Sequence, residues 1–223
     1  MLDEINNAHI TADKVRKIFA KQPTRKKAHV FLDIETLDTV TTAAIWEIGI
    51  YAVIENEEGT LHNHKIFWTL VPIEPQMLMG FSQSDETLSW LSQQSTELIS
   101  RLSIARSANE NSTGDKVNDE LYMLTNYLEK QLVINSGDVF IYSWGQFDVP
   151  ILNHYLRRCE KLPLETIAHY RNHIDLRSVT SYLGLNLRPD TSAHNAVSDA
   201  QALFELWHTM RNMNIALQPS LDL

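Results

Sequence analysis

The chain of 223 residues has one cysteine and no long apolar run, and each absence excludes a class of protein. Cys159 has no partner for an internal disulfide, and its spacing from apolar neighbours predicts a buried thiol on a helix. No apolar run approaches the roughly 20 residues that cross a bilayer, and the first residues lack the charged-then-apolar order of a signal peptide. We therefore expect a cytoplasmic protein that does not enter a membrane.

Positive charge is also scarce, since the formal net charge is −9. This argues against a protein that coats nucleic acid through a wide basic surface, although it is compatible with an enzyme that holds one strand end. Three short basic groups are interpreted as solvated surface. They are Arg25 to Lys27, Arg157 with Arg158, and Arg171 with Arg177 and Arg188.

Hydrophobic residues make up 43% of the chain, which is ordinary for a globular domain. Residues 1–27 read as a helical appendage, residues 28–212 as one domain and residues 213–223 as a tail. Three strands are expected first in the domain, in HVFLDIE from His29, AAIWEIGIYAVI from Ala43 and HKIFWTL from His64. Gly59 lies in the loop between the last two runs, so three successive antiparallel strands are expected.

The rest of the domain alternates helices with a further strand. Helices are predicted over residues 84–103, 118–133 and 195–210, with another starting near Pro150, and a polar loop over residues 105–118. The apolar stretch DVFIYSW after Gly137 predicts a strand. This order predicts one α/β domain in which a mixed sheet, with three antiparallel strands and then parallel ones, is flanked by helices.

The first chemical motif is VFLDIET, from Val30 to Thr36. Because side chains alternate along a strand, Asp33 and Glu35 leave from the same face. Two solvated acids at a sheet edge would explain the pair. However, an apolar central strand that ends in two acids needs a cation to meet them, since burying like charges together is costly.

Two further motifs place acids at the ends of other core elements. Asp148 in YSWGQFDVPIL follows an apolar strand and opens a helix, where it also suits a capping role. His194 precedes the last helix and Asp199 lies within it. The small neighbours of Asp199 predict close packing of this helix against the strand that carries Asp33.

Together, the four acids predict a hard, negatively charged pocket suited to two Mg²⁺ or Mn²⁺ ions and not to zinc. Two such ions activate water and stabilise the leaving oxygen of a displacement at phosphorus. A histidine beside them can accept the proton of that water near neutral pH. The residues therefore predict a phosphodiester hydrolase.

With these motifs, the sequence resembles the DEDDh branch of the 3′-to-5′ exonucleases, which have an RNase H-like fold, over residues 28–212. Asn195 stands where the sister branch has a tyrosine, so the histidine branch fits. Within the family, the chain is similar to phage and bacterial exonucleases grouped with exodeoxyribonuclease VIII-like and exonuclease A-like proteins. The shared segments are DIETLDT, AAIWEIG, TLSWLSQQS and IDLRSV.

The resemblance implies a role for each matching residue. Asp33, Glu35, Asp148 and Asp199 would bind the two metal ions, and His194 would be the general base. The terminal nucleotide would meet Thr36 and Leu37, with Leu37 wedged at a base. Phe147 and Trp90 are candidates for stacking on unpaired bases, with core packing as the alternative. Asp175 is predicted to be structural, as a cap or salt-bridge partner.

The favoured function is a 3′-to-5′ exonuclease that releases nucleoside 5′-monophosphates from single-stranded DNA, a preference that rests on the subgroup resemblance. RNA, including 3′ overhangs, is the alternative substrate. A non-catalytic binding module of the same fold, and a phosphatase or short-oligonucleotide nuclease with the same chemistry, remain open. A homodimer contact through Phe81, Trp90 and the amino-terminal helix is also left open.

Overall fold

The computed structural model describes residues 26–108, 122–124, 126–127, 139–161, 163–189 and 194–213. Five strands form one sheet in the order β3-β2-β1-β4-β5. They are β1 Lys27–Thr36, β2 Ile45–Glu55, β3 Leu61–Leu70, β4 Val139–Ser143 and β5 His173–Asp175. The first three strands pair antiparallel, whereas β4 and β5 run parallel to β1. This confirms the predicted mixed α/β sheet, with three antiparallel strands followed by parallel ones.

Residues 122–124 and 126–127 are helical, and six further helices are described over their whole extent. They are α1 Ile73–Leu78, α2 Asp85–Leu91, α3 Thr96–Ser107, α4 Asp148–Arg158, α5 Leu176–Tyr182 and α6 Ala196–Asn212, with short 3-10 turns at Leu164–Thr166 and Tyr170–Asn172.

Alternation along β1 divides the core into two layers. Val30, Leu32 and Ile34 pack in the larger cluster, which also holds Ile151 and Leu152 of α4. Phe31 points to the other side and packs with Tyr51, Tyr142 and Trp207 beneath α6. Asp33 and Glu35 continue the Phe31 series, so they lie on the face that α6 covers.

Several predicted elements differ in extent from those observed. The helix predicted over residues 84–103 is two helices, because Ser95 starts a second helix by accepting the N–H of Leu98, as Ser84 does for Thr87. The second helix continues to Ser107, so the predicted loop starts later than residue 105. Helix α1, strand β5 and helix α5 were not predicted, while α6 matches its prediction closely.

Two surface predictions are corrected. Phe81 is 4% exposed and its ring packs against His154 and Tyr155, so it is not available for a dimer contact. Cys159 is half-buried instead of buried, at the end of α4. The predicted amino-terminal helix, most of the 105–118 loop and most of the 118–133 helix lie outside the described residues. In the described part of the chain, no helix is long and apolar enough to cross a bilayer.

Candidate active site

The two acids of the first motif lie side by side at the end of β1. In the antiparallel pairing with β2, Asp33 stands opposite Gly49 and Glu35 stands opposite Glu47. Cross-strand partners share a face of the sheet, so one small residue and three carboxylates meet beneath the start of α6. This confirms that Asp33 and Glu35 project from the same face.

Gly49 allows α6 to lie directly on the sheet. A Cβ added at Gly49 would stand 2.1 Å from the carbonyl carbon of Ala196 and 2.3 Å from the amide nitrogen of Val197. No side chain can occupy that space without moving the helix. The approach places the buried Asp199, in the first turn of α6, over the end of β1. The predicted close packing of this helix is therefore observed.

Asp148 reaches the same place from the opposite layer. The parallel pairing of β1 with β4 ends at Phe31 and Tyr142, so the N–H of Ile34 lies beyond the ladder. The carboxylate of Asp148 accepts that N–H at 3.3 Å. The residue is buried in the first turn of α4, and its side chain binds β1. This hydrogen bond joins the second motif to the first.

His194 completes the cluster. Ligand atoms of Glu35, His194 and Asp199 all lie within 4.8 Å of one another. His194 precedes α6 with a left-handed backbone, at φ 42°, and Asn195 caps the helix by accepting the N–H of Ser198. Three separate parts of the chain therefore supply the predicted acids and the predicted histidine to one site.

The acids of this cluster are buried, and their like charges repel one another. Burial, and then the neighbouring charges of Asp148, Glu35 and Asp199, hold the pKa of Asp33 well above its ordinary value. Burial, with the charges of Glu47 and Asp199, raises the pKa of Glu35 to about 8, although Arg101 acts in the opposite direction. Burial raises the pKa of Asp148 to about 7, against the opposing hydrogen bond from Ile34.

This donor set suits a hard divalent cation. Carboxylate oxygens dominate it, a single imidazole accompanies them, and no thiolate lies among them. A cation bound there would offset the burial and the mutual repulsion that hold the pKa values of Asp33 and Glu35 above their ordinary values. The residues present therefore fit the magnesium or manganese that their motifs predicted.

A buried ion pair contacts the backbone of His194, and it was not predicted from the sequence. Arg101 of α3 contacts Glu47 through Nε at 3.2 Å and donates from Nη2 to the main-chain oxygen of His194 at 2.7 Å. The Glu47 side chain is 0% exposed and also accepts the indole N–H of Trp68 at 2.6 Å. The signal was present in the sequence, because an acid inside the apolar run IWEIGIYAVI requires a buried partner.

The predicted substrate contacts divide into two groups. Trp90 is 43% exposed, and its ring meets the ring of His194 edge-on with centroids 5.0 Å apart, so it borders the site. Phe147 is half-buried and packs on the larger core cluster, and Thr36 is half-buried with its hydroxyl donating to the carbonyl of Asp38. Leu37 is 0% exposed and packs in the larger core cluster, and its contact with a base stays a prediction.

Asp175 has the structural role that its sequence predicted. Its Oδ1 caps α5 by accepting the N–H groups of Arg177 and Ser178. The same oxygen accepts the N–H of Gly145 at 2.8 Å. Asp175 therefore fixes one end of the loop over residues 144–147, whose other end leads into Asp148.

The fold and the site define a class of protein: an α/β domain with a carboxylate cluster at the end of its central strand. The sequence model of one protein family, the 3′-5′ exoribonuclease Rv2179c-like domain, matches residues 28–211 of this chain. The chain belongs to this family. The finer similarity to exodeoxyribonuclease VIII-like proteins stays a prediction.

One solved structure similar to this chain is that of cell-death related nuclease 4 (CRN-4), at 13% sequence identity and a TM-score of 0.45. The alignment covers 84% of this chain and 64% of that nuclease, so the chain spans less than two thirds of its length. No curated protein sequence matches the chain.

Proposed function

We propose that the protein is a metal-dependent exoribonuclease that removes nucleoside 5′-monophosphates one at a time from the 3′ ends of RNA. The observation that carries this proposal is the convergence of acids from three separate parts of the chain beside one histidine. Ligand atoms of Glu35, His194 and Asp199 lie within 4.8 Å of one another, and the charges of Asp148 and Asp199 raise the pKa of Asp33.

Each residue of the site would have its own role in hydrolysis. Asp33, Glu35, Asp148 and Asp199 would hold two divalent cations. Such ions, when bound, lower the pKa of an attacking water and stabilise the oxygen that leaves phosphorus. His194 would accept the proton of that water, and the half-exposed Trp90 beside it would contact the terminal nucleotide.

RNA is proposed as the substrate because the family that contains this chain is described as exoribonuclease. The DNA preference expected from the sequence rested on resemblance to a subgroup. DNA is therefore the comparison substrate in the test. A cytoplasmic location and a homodimer remain predictions.

The test uses RNA and DNA oligonucleotides of one sequence, each 5′-labelled, with the full chain and Mg²⁺ or Mn²⁺. We expect a ladder that shortens from the 3′ end, with RNA cleaved faster than DNA, and no cleavage in EDTA. Asp33→Asn is the inactive comparison, because it removes one negative charge while nearly preserving the shape of the side chain. It should abolish cleavage, and circular dichroism should show that it folds.

Three outcomes would contradict the proposal. Binding of both strands without cleavage would indicate a non-catalytic module. Cleavage that survives Asp33→Asn would place the activity elsewhere. DNA cleaved as fast as RNA would remove the substrate preference while leaving the hydrolytic chemistry in place.

A further inference from the structure

A second concave surface lies beside the acidic cluster, and we call it the arginine groove. Its main cavity has a volume of about 430 Å³, which is within the usual range for ligand sites. An adjoining cavity of about 400 Å³ shares Arg177 and Ser181 with it and extends to Gly145 and Gln146. The main cavity is lined chiefly by Trp144, Arg177, Thr180, Ser181, Asn186 and Arg188.

The arginine groove opens at the same edge of the sheet as the acids. Strands β1, β4 and β5 run parallel, so their carboxyl ends meet at one edge. Glu35 lies at the end of β1, the 144–147 loop follows β4, and Arg177 follows β5 by two residues. Neighbouring strands are about 4.8 Å apart, so β5 lies roughly 10 Å from β1. The 144–147 loop therefore separates the acidic cluster from the groove.

The groove carries two exposed cationic side chains. Arg177 and Arg188 are exposed, and neither forms an ion pair within the described part of the chain. Among the described residues that line the two cavities, Asp175 is the only acid. Its oxygens already accept three backbone N–H groups and the hydroxyl of Ser178. The guanidinium groups of Arg177 and Arg188 are therefore available to bind an anion.

We propose that the arginine groove binds the backbone of single-stranded nucleic acid just upstream of the 3′-terminal nucleotide. Guanidinium groups form paired hydrogen bonds with phosphate oxygens, and the half-buried Trp144 supplies an aromatic wall for a sugar or base. A strand whose 3′ end lies at Asp148 then continues over the 144–147 loop into the groove. This inference rests on the proposed function, since it takes the acidic cluster as the place of cleavage.

The test compares Arg177→Gln, Arg188→Gln and the double variant with Arg171→Gln. Arg171 loses the same charge but lies before β5, at the opposite end of that strand. One substrate is a 5′-labelled single-stranded oligonucleotide. The other is bis(p-nitrophenyl) phosphate, a small phosphodiester with no upstream nucleotide.

For the oligonucleotide, we expect each groove variant to raise KM on the order of tenfold and to leave kcat unchanged. The slope of log KM against log salt should decrease by about 0.7 for each arginine removed. Hydrolysis of the small diester should be unaffected, because that molecule does not reach the groove. Arg171→Gln should resemble the unmodified protein in every measurement.

The inference is overturned if the groove variants match Arg171→Gln, or if they impair the small diester as strongly as the oligonucleotide. Failure of the proposed function is seen separately, as unmodified protein that cleaves neither substrate. In that case, fluorescence anisotropy of the labelled oligonucleotide still tests the groove. Weaker binding by the double variant supports it, and equal binding refutes it.

Discussion

Arg101 donates a hydrogen bond to the main-chain carbonyl of His194 while it pairs with the fully buried Glu47. We expect Arg101→Gln to lower kcat by at least about tenfold and to change KM little, because the imidazole loses its fixed position. The free energy of unfolding should fall by roughly 3 kcal/mol, since Glu47 is left buried without its cation. Steady-state kinetics and urea unfolding measure the two effects.

The double variant Arg101→Gln with Glu47→Gln separates positioning from stability. Removing both charges should recover most of the lost stability, whereas kcat should stay low. Arg106→Gln, at an exposed position on the same helix, should change neither quantity. Recovery of kcat together with stability would show that Arg101 acts on the fold alone.

Gly49→Ala should displace α6 from the sheet. The new methyl group has no room beside Ala196, so we expect a loss of about 1–3 kcal/mol in the free energy of unfolding. Asp199 and His194 would move with the helix, and nuclease activity should fall further than stability alone explains. Gly184→Ala is a control, because open space surrounds it and only its left-handed backbone costs about 1 kcal/mol. Equal activity in the two variants would contradict this reasoning.

Stability should depend on pH in the metal-free protein. The pKa values of Glu35, about 8, and Asp148, about 7, exceed those of the unfolded chain, so the native state binds more protons above about pH 4. The free energy of unfolding should therefore fall as pH rises from about 4 to 8. Thermal melts in EDTA at pH 6 and pH 8 measure this decline.

Added Mg²⁺ or Mn²⁺ should raise the melting temperature more at pH 8 than at pH 6, because ionised carboxylates bind cations and protonated ones do not. Asp33→Asn should weaken this stabilisation. A melting temperature that divalent ions leave unmoved at pH 8 would count against a metal site in the acidic cluster.

Trp90→Ala should weaken binding of single-stranded substrate. Stacking on one base contributes about 1–3 kcal/mol, so KM should rise several-fold or more, and Trp90→Phe should recover part of it. Tyr170→Ala removes another exposed aromatic, which lies before β5, and should leave KM unchanged. An unchanged KM in Trp90→Ala would mean that this indole serves only to pack against His194.

Local patterns predicted the sheet and the acids well, because both follow from side-chain periodicity. The alternation in VFLDIET placed Asp33 and Glu35 on one face of the sheet. The apolar stripe over residues 195–210 predicted where α6 begins and ends to within two residues. Features that depend on distant partners were harder to predict. The resemblance predicts that Leu37 contacts the terminal nucleotide, yet tertiary packing buries its side chain completely. Strand β5 has only three residues, too few to show a period, and Arg101 meets His194 across 93 positions of sequence.

The order of the motifs along the chain has a consequence for biosynthesis. Asp33 is translated early, whereas His194 lies just before the last described helix and Asp199 lies within it. Until α6 has left the ribosome and settled on Gly49, the nascent polypeptide holds an incomplete set of acids. Translation therefore supplies the acidic cluster in stages, first the two carboxylates of β1, then Asp148, and last His194 and Asp199.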